Sequence, residues 1–127
     1  MKIYALATLL LMACGVSCAE QVVRYEPASV SLQGWLLTAY GEEVNGRDVA
    51  VPALQLIQPV TVQGAGADSP TQSNVVLMQM ALNQKSMAKF KALKGKRVTV
   101  TGTLFPAHTG HHFTGVLVQP TSIVAAK

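Results

Sequence analysis

Three imidazoles stand close together at His108, His111 and His112, and they are the only histidines of the chain. Histidine is the side chain whose ordinary pKa lies near neutrality, and its neutral ring is the commonest metal ligand. Three such nitrogens with an open fourth position would make a zinc-type site, and copper or nickel takes the same donors. The candidate ligand set is His108, His111 and His112, with Glu42 or Asp48 as a carboxylate from another loop. The spacing is not that of the helical two-histidine motif with an intervening glutamate. Pro106 and Gly110 argue against a helix here, and on an extended strand the neighbours His111 and His112 would face opposite sides.

Two other uses of the same residues compete with metal binding. One is structural: Thr109-Gly110 is a turn signal. Gly110 would take a positive φ there, with ring nitrogens and threonine hydroxyls tying down backbone carbonyls. The other is direct recognition of a ligand or partner by His108, Thr109, His111 and His112, joined by Trp35 and Tyr40. Trp35, beside Gly34, reads as a core or barrel-mouth residue, and Tyr40 would line the same mouth. Met78, Met80 and Met87 offer thioethers for copper, but their spacing suits ordinary core packing.

Little else offers catalysis. No serine sits in a nucleophile-elbow motif, there is no phosphate-binding glycine loop, and both cysteines, Cys14 and Cys18, fall in the first twenty residues. Glu42 and Glu43 are adjacent, so on an extended segment they diverge and cannot pair as acid and base. A metal hydrolase is the only catalytic option these residues leave, and a non-catalytic protein is the expectation.

The elements that must position these residues follow from periodicity. Gln21 to Ala28 is a lead-in, and Val30 to Tyr40 reads as a first strand in which Gly34 marks a bulge or sharp bend. Gly41 to Pro52 reads as a polar loop, Ala53 to Val62 as a second strand with Pro59 at an edge or bulge, and Gln63 to Asn74 as another loop. Val75 to Ala81 is a third strand. A short helix follows, capped at Asn83 or Ser86, with Met87, Phe90 and Leu93 on one face and Gly95 just past its end. Arg97 to Phe105 alternates valine with threonine and is the clearest strand, and Thr114 to Ala125 is the last, interrupted at Pro120. The order β-β-β-α-β-β predicts an all-β, OB-fold-like five-stranded Greek-key barrel with one short helix. A small open sandwich with one helix is the alternative. On the barrel reading, the loops Gly41–Pro52 and Pro106–Phe113 meet at one end and frame a binding face.

The first nineteen residues read as an export signal: Lys2, an apolar run from Ile3 to Met12 too short to span a bilayer, then Ser17-Cys18-Ala19 for cleavage after Ala19. Residues 20–127 would then form a single barrel domain in the periplasm, without a thiol. Leu11-Met12-Ala13-Cys14 offers a lipoprotein reading, in which Cys14 is acylated and the protein sits on a membrane. The net charge is +4, with cations clustered at Lys85, Lys89, Lys91, Lys94, Lys96 and Arg97. A nucleic-acid surface would interleave stacking aromatics among them, and only Phe90 is there. The cluster reads as a solvated helix face, with no nucleic-acid partner expected.

Several motifs together carry a family likeness. Tyr25-Glu26-Pro27, Val30-Ser-Leu-Gln-Gly34, Leu54-Gln-Leu-Ile-Gln-Pro59, Gly95-Lys-Arg-Val-Thr-Val-Thr-Gly-Thr-Leu-Phe105 and Ala107-His-Thr-Gly-His-His112 resemble the exported bacterial family called domain of unknown function 4431. The resemblance implies export and a compact β-rich domain, and it brings no activity. It also implies a cysteine before the Tyr-Glu-Pro motif and another in the second strand, where this chain has Thr61. The functional expectation is a non-catalytic exported binding module. The alternatives are a divalent-transition-metal protein built on the histidine loop, and an inhibitor or immunity-type protein that docks on a periplasmic or exported enzyme.

Overall fold

The computed structural model describes residues 20–127, which form β1 (Gln21–Arg24), β2 (Val30–Glu42), β3 (Asp48–Gln63), β4 (Gln72–Met80), α1 (Gln84–Leu93), β5 (Arg97–Pro106) and β6 (Val116–Ala125). The expected signal, with Lys2, Cys14 and Cys18, lies outside the described residues. From β2 onward the strands pair in a ring: β2 with β3, β3 with β4, β4 with β6, β6 with β5, and β5 back to β2. All these pairings are antiparallel except β4–β6, which is parallel. That connectivity, with a helix between the third and fourth strands of the ring, is the OB-type closed barrel expected from the element order.

Closure depends on β2, which serves two partners. Its Val30–Trp35 half pairs with β5 and its Gly34–Glu42 half with β3, so Gly34 lies on both ladders at once. The strand must coil sharply there, and the Gln55 carbonyl comes so close that any Cβ at Gly34 would collide with it. Val30, Leu32, Gly34 and Leu36 turn inward by period-two alternation. With Leu54, Val62, Met78, Val98, Val100, Leu104 and Val118 they build an aliphatic core closed by Phe90 from α1. Helix α1 starts at a capping box in which Asn83 and Ser86 each bind the other's backbone N–H, so both candidate caps take part.

Three expectations are corrected. The ring has a sixth strand beside it, because Gln21–Arg24 pairs parallel with Val60–Gln63 of β3. Four residues paired to a distant strand leave no local periodicity to read. The expected loop Gly41–Pro52 is mostly ladder: β2 and β3 stay paired through Glu42↔Asp48, and Pro52 sits within β3 opposite Thr38. Finally, Trp35 is not in the core. Its neighbours Gly34 and Leu36 point inward, so alternation turns the indole outward, and it is 47% exposed.

Candidate functional site

The hairpin tip between β2 and β3 is built by local chemistry. Glu43 donates its N–H to the Arg47 carbonyl, Gly46 to the Glu43 carbonyl, both at 2.8 Å, and Gly46 has φ +84°. This is a three-residue loop whose left-handed position is glycine, as the Asn-Gly pair favours. The tip leaves Val44 fully in solvent.

Residues 107–115 join β5 to β6 and reach this tip. The His111 Nδ1 lies 3.2 Å from a Glu43 carboxylate oxygen. The Phe113 ring lies on Gly41, where a Cβ would come within 2.7 Å of it. Gly41 and Glu43 share one face of the hairpin by alternation, whereas Tyr40, Glu42 and its ladder partner Asp48 fall on the other. The carboxylate that meets the imidazoles is therefore Glu43, and the structure does not bring Glu42, Asp48 or Tyr40 to them. The two adjacent glutamates do diverge, as their extended backbone requires.

Within the loop the histidines hold the backbone. His112 Nδ1 accepts the His108 N–H at 3.0 Å, and Thr109 Oγ1 accepts the His111 N–H at 3.2 Å. The His108 and His112 rings meet edge to face at 4.6 Å, with the Phe105 ring 5.8 and 5.6 Å from them. Two details differ from expectation. Gly110 is not among the positive-φ residues, and the ring nitrogen receives a backbone N–H where a bond to a carbonyl was expected. Burial, then the nearby charges of His108 and His111, hold the His112 pKa below its ordinary value.

A residue that the sequence reading overlooked anchors the loop from below. Gln79, in β4, is the one buried polar side chain among the described residues, 8% exposed. Its Nε2 donates to the His111 carbonyl at 3.0 Å and its Oε1 accepts the Phe113 N–H at 2.7 Å. Its own N–H donates to Thr114 Oγ1 at 2.9 Å, and Thr114 passes a bond to the Val116 carbonyl. The available signal was a lone amide within the apolar run Val75 to Ala81.

The proposed metal ligands do not assemble. Among the described residues no three of His, Cys, Asp or Glu converge as a metal-holding group. Chemistry explains part of this. His112 Nδ1 is engaged by an N–H, so the proton of the neutral ring is on Nε2 and neither nitrogen is free to ligate. What the site presents to solvent includes His108, Thr109, His111 and Val44, over a frame fixed by Gln79 and Phe113. Trp35 stands elsewhere, on the barrel wall between Gln55 and Arg97.

No curated protein matches this chain. Among solved structures, one titled "Plasmodium falciparum SSB complex with ssDNA" is similar at a TM-score of 0.42 and 15% identity, over 78% of this chain and 94% of that chain. The motifs before β4 lie outside the matched segment of the family model. From late β4 through α1 and the histidine loop into β6 the family likeness holds: residues 77–123 match the model described as Domain of unknown function (DUF4431).

Proposed function

We propose that this protein is an exported, non-catalytic binding module of the periplasm, and that its recognition surface is the junction of the β2–β3 hairpin tip with the loop 107–115. The observation that carries this reading is the His111–Glu43 contact, which joins the two most chemically loaded loops of the chain. A loop with only a bracing role would turn its polar groups inward. Here the inward work falls to Gln79 and one nitrogen of His112, while His108, Thr109 and His111 face solvent. Exposed imidazoles beside an exposed valine, on a rigid barrel, suit a partner with polar and apolar groups side by side.

A pull-down from a periplasmic extract tests this, with wild type compared against a His108→Ala/His111→Ala double variant. Both substitutions leave the Gln79 bonds and remove only ring contacts at the surface, so the thermal melt should shift little. The reading expects a captured molecule that the double variant loses. Equal capture by both proteins would overturn it. A single exported enzyme in the wild-type lane would identify the inhibitor form of the same reading.

A further inference from the structure

The barrel wall has a slot away from the two loops. The β2–β3 ladder ends at Gly34↔Leu56, and β1 takes up the same edge of β3 only from Val60. Between them, Ile57 to Pro59 face the first residues of β2 with no strand in between. A cavity of about 290 Å³ fills this gap. Leu32, Leu56 and Val60 lie at its base but are buried, so the surface it offers is mainly polar. Its walls carry the amides of Gln21, Gln33 and Gln58, the Ser31 hydroxyl and the Arg97 guanidinium, and no carboxylate. Arg97 Nη2 donates to Gln33 Oε1 at 3.3 Å, which leaves the Gln33 amide N–H groups and the other guanidinium donors for a ligand. Trp35 stands at the rim, directly across the ladder from Arg97 and two residues from Gln33 on the same outward face. The solvent-exposed Ile57 lies alongside.

We infer that this slot is a binding site for a neutral oligosaccharide. A sugar ring offers apolar C–H faces and rows of hydroxyls that both donate and accept. The slot offers the complement: amides that pair with hydroxyls in both senses, with the exposed Ile57 and Trp35 beside them for the C–H faces. Strand edges left without ladder partners supply further donors and acceptors. A polyanion would want several cations tracking its charges, and the slot holds one, already engaged by Gln33. The volume is at the small end for ligand sites and suits one or two sugar rings, with Trp35 covering a further one. The site is separate from the loop junction and stands or falls without it.

Trp35 is the only tryptophan of the chain, so emission excited at the red edge, where tyrosine does not absorb, reports on this site. Purified protein is titrated with chitotriose and with cellotriose, and with oligothymidylate as the charged comparison. The inference expects a saturable emission change with at least one trisaccharide, with Kd of about 0.1–10 mM. Gln33→Ala/Gln58→Ala, which removes two exposed amides, should weaken that affinity at least fivefold. Amide shift mapping on the wild-type protein should place the perturbed residues on β2, β3 and Arg97, whatever the variant does. No saturable change with either sugar, full affinity in the double variant, shifts confined to residues 107–115, or tighter binding of oligothymidylate than of any sugar would each overturn it.

Discussion

Replacing Gln79 by methionine removes both side-chain bonds to the histidine loop and keeps the length and flexibility of the side chain. The retained Gln79 N–H bond to Thr114 is a backbone donor and survives. Each lost bond is worth roughly 0.5–1.5 kcal/mol net, and each stranded buried group costs roughly 1–3 kcal/mol more if water does not reach it. The His111 carbonyl belongs to an exposed residue and rehydrates readily, whereas Phe113 is half-buried against Gly41. The worked expectation is therefore a loss of about 2 kcal/mol, felt first as local opening of residues 107–115. Amide hydrogen exchange reads it directly: protection at Phe113 should fall about 30-fold, by the conversion of about 1.4 kcal/mol per tenfold. Exchange in the β2–β5 ladder should change much less. Unchanged exchange at Phe113, with an unchanged urea midpoint, would show that Gln79 does not hold the loop and would refute the argument.

Acidification should loosen the same loop through His112. Its pKa is lowered from 6.5 by burial, then by His108 and His111, so the unfolded chain takes up this proton before the folded one does. The stability it contributes is fully present above about pH 6.5 and is lost as the pH falls through that value to the lower folded pKa. Proton NMR should show the His112 ring titrating below 6.5 and the His108 amide losing protection at acid pH, once its rate is divided by the intrinsic exchange rate at the same pH. Gly41→Ala places a methyl 2.7 Å from the Phe113 ring and should cost roughly 1–3 kcal/mol by overpacking, read from the urea midpoint. Glu43→Gln removes a pair between an exposed imidazole and a partly covered carboxylate and should change stability by less than about 1 kcal/mol, so a larger loss in chemical denaturation would mean the pair is more than a surface contact. One equivalent of zinc should leave the thermal midpoint where it was, because His112 Nδ1 is engaged by the backbone and no three ligands converge among the described residues; a clear rise would show that the loop rearranges around metal.

Local pattern made the barrel legible. The valine–threonine alternation of Arg97–Phe105, the helix between Asn83 and Gly95, and Gly34 within an alternating strand each report on their own neighbourhood, and each is found where it was read. Even the divergence of Glu42 from Glu43 follows from alternation alone. The four-residue strand β1 was not legible, because its pairing with Val60–Gln63 involves residues about forty positions away.

Contacts across the chain decided the rest. The sequence by itself put three histidines within five positions and predicted a barrel with one short helix to carry them, with an open sandwich as the alternative that strand pairing excluded. Only tertiary structure chose Glu43 as the acid that meets them, placed Gln79 beneath them, and put one His112 nitrogen to work on the backbone. It also turned Trp35 outward beside Arg97, an adjacency between residues that are far apart in the chain. The physical reason is that alternation fixes which face a side chain takes, whereas strand register and coiling fix what lies opposite that face. Register is set by packing over the whole barrel, so no window of sequence contains it.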